Sequence, residues 1–316
     1  MAAVFSRPSI TNPTIRSATR ASAALVWLAA LSGVLALTTS LAGLLWPGAG
    51  EPIPFKTVRG ETVLLYGQGL YRYDTLFSAG AFKGSDLLVL FGVLPLLIVG
   101  LVGYRRGSLR ATFLLAGALS YLLYNGASMA FSAALNPLFL VYVALFSSSI
   151  FAFVLALTVI DRAELPAHIG PGLPHRAAAA ILFLAGPGTA LLWLSDIVGP
   201  LLEGRAPVGL GSYTTLFTYG LDIGLIAPAA TLAGILLLRR DPLGYVLGVP
   251  ILVLCALIGP MVILQTVMQL RLGVEFIMMQ FVVLIIGGFV AMSLLAAGVT
   301  VAVFRQISDR RQSIAR

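Results

Sequence analysis

Charged residues are scarce in this sequence. Only 10% of its 316 residues are Asp, Glu, Lys or Arg, whereas 59% are hydrophobic, and the mean hydropathy is +0.99. A soluble domain carries about 25% charged residues, which cover its surface in water. This chain cannot cover such a surface. The composition therefore predicts an all-α polytopic membrane protein in contact with a lipid bilayer.

Cysteine, histidine and lysine are almost absent. The single Cys255 excludes an intramolecular disulfide and a Cys-x-x-Cys site. His168 and His175 share one short connection and are interpreted as interfacial residues, because a metal site needs further His, Cys or carboxylate partners. The two lysines, Lys56 and Lys83, fall between the apolar spans, which excludes a retinal attachment site. We predict no metal and no cofactor.

Apolar spans account for most of the chain. Each is close to the ~20 residues that a helix needs to cross a bilayer. Eight can be counted, at about 22–46, 86–104, 109–132, 137–160, 177–200, 214–238, 244–268 and 275–304. The predicted organisation is a tail (1–21), helices 1–4 (22–176) with a long connection (48–85), helices 5–8 (177–304) and a second tail (305–316).

The basic residues alternate between the two sides of these spans. Fourteen of the 20 fall in the tails and in the connections after spans 2, 4 and 6, and six fall in the others. Cytoplasmic connections carry an excess of Lys and Arg. We therefore expect a multi-pass protein of the cell membrane, taken to be a prokaryotic inner membrane, with both termini in the cytoplasm. This bias also accounts for the net charge of +8, so no nucleic acid partner is expected.

The long connection is the only one of its size. Residues 62–66 are apolar and β-prone, two glycines follow them, and residues 70–77 mix aromatic and charged side chains. Aromatic rings of this kind suit the headgroup zone. A loop of this length is usually functional or forms a small folded cap. It is interpreted as a lid on the outer membrane face, with a ligand-binding or gating element as the alternative.

Two stretches suggest an internal repeat. Asp86 precedes Pro95 and the pair Arg105-Arg106, and Asp222 precedes Pro228 and the pair Arg239-Arg240. If the halves are copies, each contains four helices, so both insert in the same direction. The prediction is a 4+4 parallel repeat about an axis along the membrane normal. Asp86 is interpreted as an acid at a helix N-terminus, where it stabilises free N–H groups.

Asp222 is the main candidate for function, because an ionisable group at membrane depth is costly. At that depth it must be neutral, paired or hydrated. Further polar residues fall in the same half of the predicted membrane, which suggests one polar cavity beneath the long connection. The ligand-binding candidates are Asp222, Asp196, Asn125, Tyr121, Gln265 and Gln269.

Each of the other candidates also has a purely structural explanation. Asp196 can be an interfacial, solvated acid. Asn125, Gln265 and Gln269 can bond between helices, which is ordinary in membrane bundles and contributes about 0.6 kcal/mol per bond. Asp222 can form a structural hydrogen bond to Tyr or Asn.

Three classes of function remain open. The first is a carrier or channel-like protein for a small solute, and the second is a non-catalytic sensor or assembly subunit that works with a membrane partner protein. The third is an enzyme. Tyr219-Gly220-Leu221-Asp222 resembles the Gly-x-Gly-Asp segment of intramembrane aspartyl proteases, but Tyr219 and Leu221 occupy the two glycine positions. The sequence favours the two non-catalytic classes, with a small molecule or a membrane protein as the partner.

Overall fold

A computed structural model describes residues 19–207, 209–276 and 286–309 of the chain. Eight long apolar helices contain most of these residues. All eight are long and apolar enough to cross a membrane. The protein is therefore an all-α, polytopic membrane protein. The helices are α1 (Ala23–Leu45), α2 (Leu76–Arg105), α3 (Leu109–Ser132), α4 (Phe139–Thr158), α5 (His175–Leu202), α6 (Phe217–Leu238), α7 (Pro242–Arg271) and α8 (Gly287–Gln306).

Several predicted features fall on undescribed residues. Most of the N-terminal tail (1–18), the end of the C-terminal tail (310–316) and the predicted start of the eighth span (277–285) lie outside the described residues.

Polar caps define where several helices begin. The side chains of Ser22, Thr75 and Ser108 accept hydrogen bonds from backbone N–H groups in the first turns of α1, α2 and α3. Asp241 does the same for α7, whose first residue is Pro242. These side chains satisfy donors that a helix start leaves free.

The second helix differs from its predicted bounds. It begins at Leu76, ten residues before Asp86, so the long connection ends at residue 75 instead of 85. The glycines and Lys83 make this first segment of α2 look like a loop in the sequence. In the structure, Gly80 and Gly84 pack directly against α7. Two expectations are therefore wrong: Asp86 is not at a helix N-terminus, and Lys83 lies within a membrane-spanning helix. The connection itself contains an antiparallel hairpin, β1 (Ile53–Lys56) and β2 (Thr62–Leu65).

Within the described residues, three helices contain a π-helical turn next to a proline. The turns are Val89–Val93 in α2, Leu184–Gly188 in α5 and Asp222–Ile226 in α6. Proline lacks the N–H that an α-helix uses and disturbs the turn before it. Single π-turns are frequent at functional sites.

The packing places α3 and α7 at the centre of the bundle. Buried residues make up 78% and 61% of their most apolar stretches, against 28–39% for the other six helices. The neighbours correspond between the halves: α3 packs on α4 as α7 packs on α8, and α2 packs on α3 as α6 packs on α7. The helices α3 and α7 also contact each other. A repeat of four helices would produce such a correspondence, and the repeat stays a prediction.

One pair of contacts breaks the correspondence. The first half of α2 packs closely along α7, whereas the first half of α6 has only a small contact with α3. The two halves therefore differ at the end of the bundle that carries the hairpin, which is called the hairpin end below.

The opposite end carries the Arg-Arg pairs and is called the arginine end. Arg20 donates a hydrogen bond to Asp161, which lowers the pKa of that carboxyl group below its ordinary value. Asp309 accepts from the backbone N–H of Leu109 at 2.7 Å and so caps α3. Ile307 forms a β-bridge with Ile169. The last described residues therefore join the connections at this end.

Candidate functional site

Asp222 lies where three helices meet. It is 8% exposed and is the first residue of the π-turn in α6. The indole Nε1–H of Trp193 in α5 donates to Oδ2 at 2.8 Å, and the Tyr124 hydroxyl in α3 donates to Oδ1 at 3.0 Å. One carboxylate thus connects α3, α5 and α6.

The local sequence explains this position. Pro228 follows the π-turn of α6, and Pro187 lies inside the π-turn of α5. The two turns are in contact, since a Cβ at Gly186 would lie 2.8 Å from the carbonyl oxygen of Ala227. Both helices therefore change their hydrogen-bonding pattern at the same level of the bundle, next to Asp222.

Asp196 belongs to the same region. The Tyr219 hydroxyl donates to its carboxylate, and the Tyr219 ring lies edge-on to Trp193 with 5.5 Å between centroids. Tyr124 makes a similar contact with Phe217 at 6.0 Å. Six residues define what is called the Asp222 site below: Tyr124, Trp193, Asp196, Phe217, Tyr219 and Asp222.

The site has two carboxylates and no paired cation. The salt bridges among the described residues join Arg20 to Asp161 and Arg205 to Glu203, and neither involves the site. Its other members are four aromatic side chains. Ionised carboxylates attract cations, and π-faces attract them as well, so a site of this composition is suited to binding a cation.

The segments beyond the π-turns are loosely packed. Thr189–Leu202 buries only Pro200, and large side chains such as Leu191 and Leu202 are exposed. Thr189–Leu202 and Phe217–Leu221 together are called the α5–α6 arm. The hydrogen bond between Asp222 and Tyr124 and the ring contact of Phe217 hold this arm against the central helix α3.

The remaining predicted residues lie at a second site. Gln265 donates to the Ser85 hydroxyl at 2.8 Å, and Gln269 donates to the carbonyl oxygen of Phe77 at 3.1 Å. Tyr121 is fully buried and points towards Ser85 and Asp86. Asn125 is buried one turn further along that face of α3. The structure thus divides the predicted residues between two sites, one on each side of α3.

Asp86 is the acid of the second site. It is 3% exposed, and the Tyr71 hydroxyl donates to its Oδ2 at 2.8 Å. Gly43 of α1 makes room for this pair, since a Cβ there would lie 2.0 Å from Asp86 Oδ2 and 2.4 Å from the Tyr71 oxygen. Asp86, Tyr71, Ser40, Ser85, Tyr121 and Gln265 are called the Asp86 site.

A third buried acid, Asp74, joins the connections at the hairpin end. It is 1% exposed, and its Oδ1 accepts from the backbone N–H of Ala134 at 2.8 Å and from the Tyr213 hydroxyl at 2.9 Å. Arg59 donates to the carbonyl oxygens of Gly211 and Tyr213 at 2.7 and 3.1 Å. Burial raises the pKa of Asp74 from 3.8 to about 6. This residue therefore links three connections.

An open cavity of about 270 Å³ lies beside Asp74, between the end of α1, the long connection and the turn before α4. Its walls include Trp46, Leu70, Arg72, Tyr73 and Asn136. The Arg72 guanidinium lies 4.9 Å from the centre of the Tyr73 ring.

Sequence reasoning missed several of these residues. Asp74, Tyr71 and Trp193 were not among the candidates, and Asp86 was assigned to a helix end. Trp193 could have been predicted, since it lies three residues before Asp196 within an apolar span and so falls on the same helix face. Tyr71 and Asp74 lie in a connection, and only their contacts show that they are buried.

The histidines lie apart from these sites. His168 Nδ1 is hydrogen-bonded to the carbonyl oxygen of Ser308, and His175 Nε2 to the Tyr245 hydroxyl, each at 2.8 Å. Among residues 19–207, 209–276 and 286–309, no group of three or more His, Cys, Asp or Glu side chains could hold a metal ion.

Comparison with protein-family models, curated proteins and solved structures gives no match to this chain. Its function is therefore argued from the residues of the sites alone.

Proposed function

We propose that this protein is a membrane carrier for a small organic cation, and that Asp222 both binds the solute and holds the gate. In this proposal the arginine end faces the cytoplasm and the hairpin end faces outwards, in accordance with the distribution of basic residues. The observation that carries it is the pair of hydrogen bonds to Asp222, which join three helices beside two facing π-turns.

The α5–α6 arm is the moving part of the gate. Its two π-turns are natural hinges, because their backbone already departs from α-helical bonding. Hydrogen bonds within membrane bundles contribute about 0.6 kcal/mol each. The bond from Tyr124 to Asp222 therefore opposes opening by only about 0.6 kcal/mol, so a solute that binds the open state better shifts the population towards it.

The chemistry of the Asp222 site supports the choice of solute. Two carboxyl groups without a basic partner among the described residues are costly to ionise at membrane depth. A small ammonium ion would compensate the negative charge of the ionised groups. Trp193, Tyr124 and Tyr219 direct their N–H and O–H groups at the carboxyl groups, so the ion would displace these donors before it met the π-faces of the rings. An anion or a large apolar solute would gain neither contact.

Uptake into proteoliposomes tests the proposal, with radiolabelled methylammonium and tetramethylammonium as the probes. We expect the wild type to take up at least one of them, and Asp222→Asn to raise the half-saturating concentration at least about tenfold, because tenfold corresponds to about 1.4 kcal/mol of lost interaction. Asp161→Asn is the matched control, since it removes an acid at the arginine end. An unchanged melting temperature shows that each variant is folded.

Two results would contradict the carrier: no uptake of either cation by the wild type, or uptake by Asp222→Asn that equals that of the wild type. Tyr124→Phe separates binding from gating, because it keeps the aromatic ring and removes the donor that holds the arm against α3. We expect this variant to keep its affinity and to open more often. Slower formation of a disulfide cross-link between cysteines engineered in the arm and in α3 would report this opening.

A non-transporting sensor or assembly subunit is the second candidate. It is favoured by the arginine end, where Asp309 caps α3 and Ile307 pairs with Ile169. These contacts hold the arginine end together, whereas a carrier must also open at that end to release its solute into the cytoplasm. Cation binding that moves the arm without any uptake would favour this candidate over the carrier.

A further inference from the structure

A chain of hydroxyl groups leads from the cavity at the hairpin end to Asp86. Asn136 lines the cavity and donates to the Tyr142 hydroxyl at 3.4 Å. Tyr142 and Tyr71 belong to one buried cluster, and their hydroxyl groups are close enough to interact. Tyr71 in turn donates to Asp86 at 2.8 Å.

We propose that Asp86 is a proton-binding site that exchanges protons with the cavity at the hairpin end through Tyr142 and Tyr71. The proposal concerns a different site from the carrier proposal and does not rest on it. Proton binding to Asp86 is expected whether or not the protein transports a solute.

The surroundings of Asp86 can satisfy it with or without a proton. The hydroxyl groups of Ser40 and Tyr121 are buried close to it. A hydroxyl group can donate or accept. Beside the ionised carboxylate these two groups can donate, and beside the protonated acid one of them can accept its proton. Hydroxyl groups that can change role in this way suit a site that binds a proton reversibly.

Tight packing limits access to Asp86 on two sides. A Cβ at Gly84 would lie 2.3 Å from the backbone N and Cα of Gln265, so α2 and α7 touch along this side. Gly43 brings α1 equally close on another side. The tyrosines lie on the side that faces the cavity at the hairpin end.

The transfer is balanced at each step. A water molecule that replaces Asn136 at Tyr142 gives a proton to the Tyr142 oxygen, and the Tyr142 hydroxyl proton passes to the Tyr71 oxygen. The Tyr71 hydroxyl proton then passes to Asp86 Oδ2, and a hydroxide ion is left in the cavity. The 3.4 Å contact of Asn136 is long for a hydrogen bond, so water can replace it at low cost.

Tyr71 is suited to relaying a proton without losing its own. Burial, together with the nearby Asp86, Tyr142 and Asp74, holds the pKa of Tyr71 well above its ordinary value. It therefore remains a neutral hydroxyl that donates and accepts.

Few other charged or titratable groups face Asp86. Lys83 lies on the same helix, and its Nζ donates to the carbonyl oxygen of Gly43 and lies 5.5 Å from the centre of the Tyr66 ring. Tyr121 faces Asp86 from α3 and Tyr142 from α4. The sides formed by α1 and α7 contribute Ser40, Gly43 and Gln265, which do not titrate.

Infrared difference spectroscopy of the protein in lipid films tests the proposal. We expect a carboxylic-acid carbonyl band to disappear between acidic and alkaline buffer in the wild type, to be missing in Asp86→Asn and to persist in Asp222→Asn. After a jump to acidic buffer, Tyr142→Phe should slow its appearance severalfold. Gly43→Ala should shift the frequency of the band and slow its appearance, because the added Cβ separates Tyr71 from Asp86.

Gly33→Ala is the matched control, since it adds the same methyl group to α1 against the flexible side chain of Leu97. If Asp86→Asn does not fold, Tyr142→Phe and Gly43→Ala carry the test. The proposal is overturned if Asp86→Asn retains every pH-dependent carbonyl band of the wild type. It is also overturned if the band appears at the wild-type rate in both Tyr142→Phe and Gly43→Ala.

Discussion

The protonation of Asp74 should control how firmly the connections at the hairpin end are joined. Its carboxylate is 1% exposed, and only one of its two oxygens accepts hydrogen bonds from described residues. A buried carboxylate in this position favours its neutral form. The expected perturbation is therefore a change of pH, and Asp74→Asn is the variant that removes the titration.

The magnitude follows from the pKa, which burial raises from 3.8 to about 6. A raised pKa means that the folded protein binds the proton more tightly than the unfolded chain does. The contribution of Asp74 to stability is thus fully present below pH 3.8 and is lost as the pH rises through about 6. The rise in the pKa of Asp74 from 3.8 to about 6 corresponds to about 3 kcal/mol of folding stability that is lost over that window.

Thermal unfolding in nanodiscs at a series of pH values measures this effect. We expect the melting temperature of the wild type, relative to Asp74→Asn, to fall between pH 3.8 and about 6 and to be level above it. Tyr213→Phe should move the window to higher pH, because the Tyr213 hydroxyl lowers the pKa of Asp74 by donating to it. The reasoning is refuted if the difference between wild type and Asp74→Asn does not change with pH, or rises over the same window.

Three further changes test the packing, each by its effect on the melting temperature. Gly84→Ala should destabilise the protein by about 1–3 kcal/mol, because its Cβ would meet the backbone of α7. Gly224→Ala is the control and should be neutral, because open space surrounds that glycine. Equal effects of the two substitutions would contradict the close contact at Gly84. Asp309→Ala should cost about 1 kcal/mol by removing the acceptor of the first N–H group of α3, which the Ser108 side chain does not satisfy, and an unchanged melting temperature would count against this contribution. Arg20→Ala should cost less than about 1 kcal/mol, since Arg20 is 72% exposed, and a larger loss would show that its bond to Asp161 is more than a surface pair.

The membrane-spanning helices were largely readable from the sequence. The third span was predicted at 109–132 and is Leu109–Ser132 in the structure, and the first was predicted at 22–46 and is Ala23–Leu45. Apolar length is a local property, and a bilayer selects it directly. The second helix was the exception, because Gly80, Lys83 and Gly84 resemble a loop until α7 is placed against them.

The candidate site was only partly readable. Asp222 and Asp196 do lie in one region, but their partners Trp193 and Tyr219 were not predicted. Tyr121 was grouped with Asp222, and the structure turns it towards Asp86 instead. A periodic pattern states which residues share a face of one helix, but not which neighbour that face meets.

The sequence by itself determined the class of protein, the number of apolar spans and the presence of an acid at membrane depth. These depend on hydrophobic length and charge, which are read residue by residue. Only the tertiary structure decided that there are two acidic sites on opposite sides of α3, and that Asp74 joins the connections above them. The rotation of each helix about its own axis decides which neighbour its polar residues meet. This rotation depends on close contacts at small residues such as Gly43 and Gly84, which form only when distant parts of the chain pack together.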